Sequence, residues 1–165
     1  MDKIKLAITG CMGRMGQQLI KTAKKDKSIR LASLTENRLI KRKVSGIMPE
    51  LNTEKALNKA DVVIDFTSPE CTFEVLKIAS KLKKRVIIGT TGFSKNEEAL
   101  ITKFSKKIPI LKAGNMSLGI NLLMYLTEIT SSSLGNNYLS KVFEVHHNCL
   151  LYTSDAADEC LGVGR

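Results

Sequence analysis

The sequence predicts an α/β fold, a doubly wound parallel sheet with the start of a second domain behind it. Short β-branched apolar runs alternate with segments of helical period, and the first run leads straight into a cluster of glycines. The runs are KIKLAIT (3 to 9), IRLASLT (29 to 35), DVVIDFT (61 to 67), RVIIGTT (85 to 91) and KIPILKA (107 to 113). Met15, Leu19, Ile20 and Ala23 share one helical face, Phe73, Leu76, Ala79 and Ser80 a second, and Ala99, Ile101 and Phe104 a looser third. Strands that alternate with helices pair in parallel through right-handed crossovers.

Around Gly114 the pattern changes. Asn115 or Ser117 offers an N-cap, and Ile120, Leu123, Leu126, Thr127 and Thr130 fall on one stripe of a helix that GNN at 135 to 137 stops. YLSKVFEVHH then alternates like a strand. Residues 1–113 form the expected first domain, 114–148 the opening of a second, and 149–165 a tail of different composition. In that tail one arginine faces three acids, and there is neither lysine nor isoleucine, both plentiful earlier.

Composition narrows the function classes. Hydrophobic content of 43% with 25% charged residues is ordinary for a soluble globular protein, and no apolar run has the length of a membrane span. The start is a strand rather than a signal peptide, so the cytoplasm is the expected compartment. The net charge of +10 is spread along the chain, with 5% aromatic residues and no tryptophan, which argues against a nucleic-acid partner. Cys11, Cys71, Cys149 and Cys160 make no CxxC pair and no metal-ligand spacing, so no metal is expected and the thiols read as reduced, buried filler.

The chemistry begins at AITGCMGRMGQQL. Gly10, Gly13 and Gly16 lie after the first strand and across the start of the first helix, where the backbone turns sharply and helix N–H groups meet a diphosphate. The spacing is G-x-x-G-x-x-G, with Met12 where the commoner motif has its middle glycine, and an ordinary strand-to-helix turn uses glycine too. Glu36 ends the second run twenty positions after Gly16, the location from which a carboxylate accepts hydrogen bonds from an adenosine ribose. Together these features make the sheet Rossmann-like, with a nicotinamide dinucleotide as cofactor. Glu36 repels a 2′-phosphate while Arg38, Lys41, Arg42 and Lys43 attract one, so NADH and NADPH both stay open.

GCMGRMG, DFTSPECT, GTTGF, AGNMSLGIN and EVHHN occur in the order and at the approximate spacing of the bacterial 4-hydroxy-tetrahydrodipicolinate (dihydrodipicolinate) reductase family, which the chain resembles from residue 3 to about 148. The resemblance implies reduction, by a nicotinamide cofactor, of a cyclic dicarboxylate imine in the diaminopimelate branch of lysine biosynthesis. It implies a homotetramer for the full-length parent and a small-molecule dicarboxylate substrate. Carried over by position, Gly10, Cys11, Met12, Gly13, Arg14 and Met15 hold the diphosphate, Glu36 the ribose, and Gly89, Thr90 and Thr91 lie along the cofactor. Ala113, Gly114, Asn115 and Met116 match the segment that positions its nicotinamide end. Asn37 stands where the family often has arginine, leaving any 2′-phosphate contact to Arg38.

His146 matches the family's acid/base group and His147 its substrate-binding neighbour. A near-neutral imidazole suits both tasks, although a His pair on a strand is also common surface decoration. After them the family pattern breaks: Leu150 occupies the lysine position, and YTSDAADECLGVGR lacks the Ser-Gly-Thr loop that binds a substrate carboxylate. The expectation is a family fragment joined at about residue 149 to foreign sequence, binding cofactor without useful turnover. Another two-domain NAD(P)-dependent oxidoreductase, or a noncatalytic nucleotide-binding module, is the alternative.

Overall fold

The structure of the chain is a computed structural model that describes residues 2–135, 138, 139 and 141. Six strands, β1 (Ile4–Thr9), β2 (Ile29–Glu36), β3 (Glu50–Leu51), β4 (Val62–Asp65), β5 (Arg85–Ile88) and β6 (Ile110–Lys112), form one sheet in the order β3-β2-β1-β4-β5-β6. Every pairing is parallel. The connecting helices are α1 (Arg14–Ala23), α2 (Glu54–Leu57), α3 (Pro69–Lys81) and α4 (Lys95–Ser105).

The strand runs are apolar on both faces because both faces are covered. Leu6 and Ile8 of β1 pack with Leu34 of β2 and with Ile20 and Ala23 of α1. Ala7, between them, points the other way and joins Val63 of β4, Leu57 of α2 and Val75 of α3. Farther along, Val86 and Ile88 of β5 meet Leu76 and Ala79 of α3 and Ile101 of α4.

The helix faces differ from expectation at two places. Met15 is 40% exposed, and the surface that α1 buries is Gly16, Ile20 and Ala23. Ala99 is exposed as well; α4 buries Ile101, and its start is set by a capping box in which Ser94 and Glu97 satisfy each other's N–H groups. The sequence patterns also pass over β3 and α2, two and four residues long, because elements that short have no period to detect.

The chain divides into two compact units, Met1–Lys112 and Ala113–Arg165. In the second, α5 (Leu118–Leu134) starts on Ser117, whose hydroxyl accepts from the Ile120 N–H, and ends at Gly135 with φ +69°. Asn115 binds the Ser117 N–H rather than capping the helix itself. The helix has no buried residue, and Leu118, Leu122, Leu123, Met124 and Tyr125 are all more than half exposed. The strand expected over YLSKVFEVHH, the His pair and the tail from 149 lie outside the described residues.

Candidate dinucleotide site

Register sets the site. Thr9 pairs with Thr35 and with Asp65, and Asp65 with Ile88, so the loops that begin at Gly10, Phe66 and Gly89 leave the same edge of the sheet, with Glu36 at the tip of β2 beside them. The strand order reverses between β1 and β4, the place where open parallel sheets form a ligand crevice beyond the strand carboxyl ends. A Cβ placed on Gly10 falls 2.6 Å from the Thr67 methyl group, which measures how closely the two loops approach there.

The glycine loop is held largely by its own hydrogen bonds. Gly10 adopts φ +62°, the Gly13 N–H donates to Gly10 O at 3.0 Å, and the Cys11 N–H donates to Thr35 O at 3.2 Å. Gln17 Nε2 donates to Cys11 O at 2.5 Å. The Met12 N–H donates to Glu36 Oε1 at 2.6 Å, tying the tip of β2 to the loop. Glu36 is only 9% exposed.

With those donors engaged, the start of α1 is what remains for an anion. Gly13 is its N-cap and has no side chain to accept from the first turn, which also contains no acid. Among the described helices the other four are each capped by a hydroxyl, from Thr53, Ser68, Ser94 and Ser117. The first-turn N–H groups of α1 therefore have no side-chain cap, and the positive end of the helix dipole lies with them at this edge.

The β4 and β5 loops are braced from below. Asp65, fully buried, receives hydrogen bonds from the hydroxyls of Thr9 and Thr67, both at 2.6 Å, of Thr72, and of Thr90 at 3.3 Å. The Thr90 side chain thus faces inward. The Phe66 ring lies against Gly89, where an added Cβ would come within 2.0 Å of a ring carbon. Phe93, at the far end of GTTGF, packs edge-on against Phe73 at 6.0 Å with the Lys112 ammonium 5.3 Å from its ring centre.

Of the residues singled out in the sequence, the structure gathers Gly10, Cys11, Met12, Gly13, Arg14, Met15, Glu36, Gly89, Thr90 and Thr91 along this edge. Cys11 contributes backbone only: its thiol is in the core, and burial foremost, then the Glu36 charge, push it up to about 11. Burial likewise raises the Cys71 thiol, to which Asn52 donates at 3.2 Å. Both cysteines are poor nucleophiles. Arg38 is exposed in the loop after β2, with Lys41, Arg42 and Lys43. Ala113, Gly114, Asn115 and Met116 follow β6 and belong to the second unit. Asp65 and Thr72 are the first and last residues of DFTSPECT and Thr9 closes the first run, but nothing in the sequence shows that these side chains meet.

Among the described residues no helix is long and apolar enough to cross a membrane, and no cluster of metal-binding side chains occurs. The family described as "Dihydrodipicolinate reductase, N-terminus" matches residues 4–116. The chain belongs to the dihydrodipicolinate reductase family. It is 69% identical over 147 residues to the 4-hydroxy-tetrahydrodipicolinate reductase of Pelagibacter ubique, covering 89% of this chain and 57% of that one. It is 44% identical over 156 residues to the reductase of the same name from Buchnera aphidicola subsp. Schizaphis graminum, covering 87% and 56%. The chain thus spans little more than half the length of these curated relatives. In fold it is similar to a dipicolinate-bound dihydrodipicolinate reductase from Paenisporosarcina sp. TG-14, with TM-score 0.67 at 22% identity over 95% of this chain and 66% of that one. Homoserine dehydrogenase of S. aureus shares the sheet at TM-score 0.58 and 16% identity, over 72% and 34%.

Proposed function

We propose that this chain is the nucleotide-binding half of a 4-hydroxy-tetrahydrodipicolinate reductase, holding NADH or NADPH for reduction of a cyclic dicarboxylate imine in lysine and diaminopimelate biosynthesis. The observation that carries the reading is the joint geometry of the glycine loop and Glu36: an uncapped helix start beside a carboxylate already fixed to the Met12 N–H at 2.6 Å. Family membership gives that geometry its chemistry.

The residues present fit a dinucleotide. The first-turn N–H groups of α1, those of Met15 and Gly16 among them, bind the diphosphate. Glu36 keeps Oε1 on Met12 and turns Oε2 to the ribose hydroxyls, which donate to an ionised carboxylate without competition from a second acid. Arg38 is the cation for a 2′-phosphate when NADPH is taken. The bound nicotinamide supplies the hydride. Gly89, Thr90 and Thr91 support the same cofactor, as do Ala113, Gly114, Asn115 and Met116 by resemblance. His146 as acid/base and His147 as substrate ligand rest on resemblance alone, since they fall outside the described residues.

The apolar surface of α5 accords with a helix that opens a substrate domain and packs on parts the relatives have beyond this span. The homotetramer is proposed for the whole protein. Leu150 in place of the family lysine makes cofactor binding without useful turnover the expectation for these 165 residues.

Isothermal calorimetry with NADH and NADPH tests the reading. Wild-type chain binds at least one, and Glu36→Gln weakens NADH roughly tenfold, the value of a hydrogen bond to a charged group, while weakening NADPH less. A folded sample that takes up neither cofactor, or a Glu36→Gln variant with unchanged affinities and unchanged selectivity, refutes it.

A further inference from the structure

We propose that Asp65 is a positioning residue for the nicotinamide half of the bound dinucleotide, acting through the hydroxyl of Thr90 and the main chain of Thr67. This rests on the dinucleotide reading above and assigns a task to the part of the edge which that reading uses least.

A carboxylate at the end of VVID, with no solvent exposure, is a costly choice where another valine or isoleucine would pack. It is retained at the one level of the sheet from which the crevice loops spring. Its four hydroxyl partners come from four different places: Thr9 directly before the glycine loop, Thr67 in the β4 loop, Thr72 in α3, and Thr90 in the β5 loop.

Proton counting shows what the carboxylate does there. When ionised it accepts only, and each threonine hydroxyl has one proton to give. With the Thr90 proton turned toward Asp65 Oδ2 at 3.3 Å, the Thr90 oxygen presents lone pairs on its other side, and it accepts from the Thr67 N–H at 3.0 Å. The Thr72 hydroxyl, 3.0 Å from Thr90 Oγ1, completes the set. Asp65 therefore takes up the Thr90 proton and leaves the Thr90 oxygen free to accept from the Thr67 N–H, the bond that joins the β4 loop to the β5 loop. An asparagine with its amide nitrogen at the Oδ2 position would donate to Thr72 and Thr90 and force the Thr90 proton away from residue 65.

The location of the joined loops decides which part of the ligand feels them. Glu36 puts the adenosine ribose over β2 and α1 holds the diphosphate beside β1, so the remaining half of the dinucleotide runs to the other side of the switch point, over β4 and β5. ADP reaches the first two contacts and not the third.

Calorimetry with ADP, NADH and NADPH on wild type, Thr90→Val, Thr90→Ser and Asp65→Asn tests this. Thr90→Val keeps the side-chain shape and leaves Asp65 three hydroxyls. It is expected to weaken whichever dinucleotide wild type prefers by about tenfold while ADP stays within about twofold, and Thr90→Ser is expected to restore dinucleotide affinity. Asp65→Asn, where it folds, is expected to match or exceed Thr90→Val. Dinucleotide affinity unchanged in Thr90→Val or in folded Asp65→Asn overturns the proposal. So does equal loss of ADP and dinucleotide, which marks a merely structural role, or failure of Thr90→Ser to restore. Wild type that binds none of the three overturns the dinucleotide reading itself and this inference with it, an outcome distinct from a binding wild type with an indifferent variant.

Discussion

Gly16→Ala is the sharpest test of how α1 sits on the sheet. A Cβ at this position lies 2.2 Å from Gly10 O, 2.8 Å from Cys11 Cα and 3.0 Å from the Cys11 carbonyl carbon. All three are backbone atoms of a loop pinned by the Cys11, Met12 and Gly13 N–H groups, so no rotamer change relieves the overlap. Relief to an ordinary separation requires α1 to retreat by about 1 Å, and a gap of that size forfeits a quarter to a half of each contact that Ile20 and Ala23 make with Leu6, Ile8 and Leu34. Overpacking of this kind costs about 1–3 kcal/mol and sometimes more. Alanine's better helix propensity returns about 1 kcal/mol. With packing loss and rigid backbone on one side and propensity on the other, the net is a destabilisation of about 1 kcal/mol, or roughly 5 °C in melting temperature for a domain near 100 residues. The control is Gly13→Ala, whose Cβ meets only Gly10 O at 3.2 Å and whose φ of −66° suits any residue; it loses less than about 1 kcal/mol. Thermal unfolding by circular dichroism, with urea midpoints at constant m-value, reads both. A Gly16→Ala melting point within about 2 °C of wild type, or a larger loss from Gly13→Ala, refutes the close approach argued here.

Ser94→Ala removes the capping box of α4 and lowers stability by about 1 kcal/mol in urea titrations at pH 7. Hydrogen bonds from Ser94, its backbone N–H first and its hydroxyl second, hold the Glu97 carboxyl below its ordinary 4.5. The hydroxyl's share is present above pH 4.5 and is lost as pH falls through the lowered value, so the gap between wild type and variant narrows in acid while the bond from the Glu97 N–H to the hydroxyl persists. Cys11 gives the opposite sign: its thiol titrates at about 11 in the fold against 9.0 ordinarily, so its contribution is intact below pH 9 and declines as pH rises toward 11, a decline that Cys11→Ala flattens in the same titrations. Lys81→Ala, breaking an exposed 2.5 Å pair with Glu54, shifts the urea midpoint by no more than about 0.5 kcal/mol equivalent.

The sheet was readable in the sequence because its signal is local. Ile4–Thr9, Val62–Asp65 and Arg85–Ile88 announce themselves as β-branched runs, and the helix of Leu118–Leu134 by its cap, its length and its glycine stop. Glu50–Leu51 and Glu54–Leu57 gave no such sign, since two or four residues contain no period. Met15 differs for a related reason: a methionine at helical spacing looks like core, but at this point α1 meets the backbone of the glycine loop through the missing side chain of Gly16.

The site divides along the same line. Gly10, Gly13, Gly16 and Glu36 were legible because their spacing follows from one βαβ unit, in which the chain fixes both partners. The Asp65 cluster was not, because Thr9 and Thr90 reach it from 56 and 25 positions away and meet only after β1, β4 and β5 are in register. The capping pattern lies between these cases. Ser and Thr caps on four helices are individually visible in sequence, and each is an ordinary feature of a helix start. Only beside them does Gly13 mean something: where the other described helices have a hydroxyl to satisfy the first-turn N–H groups, α1 has none, and on the reading proposed above a diphosphate is the acceptor.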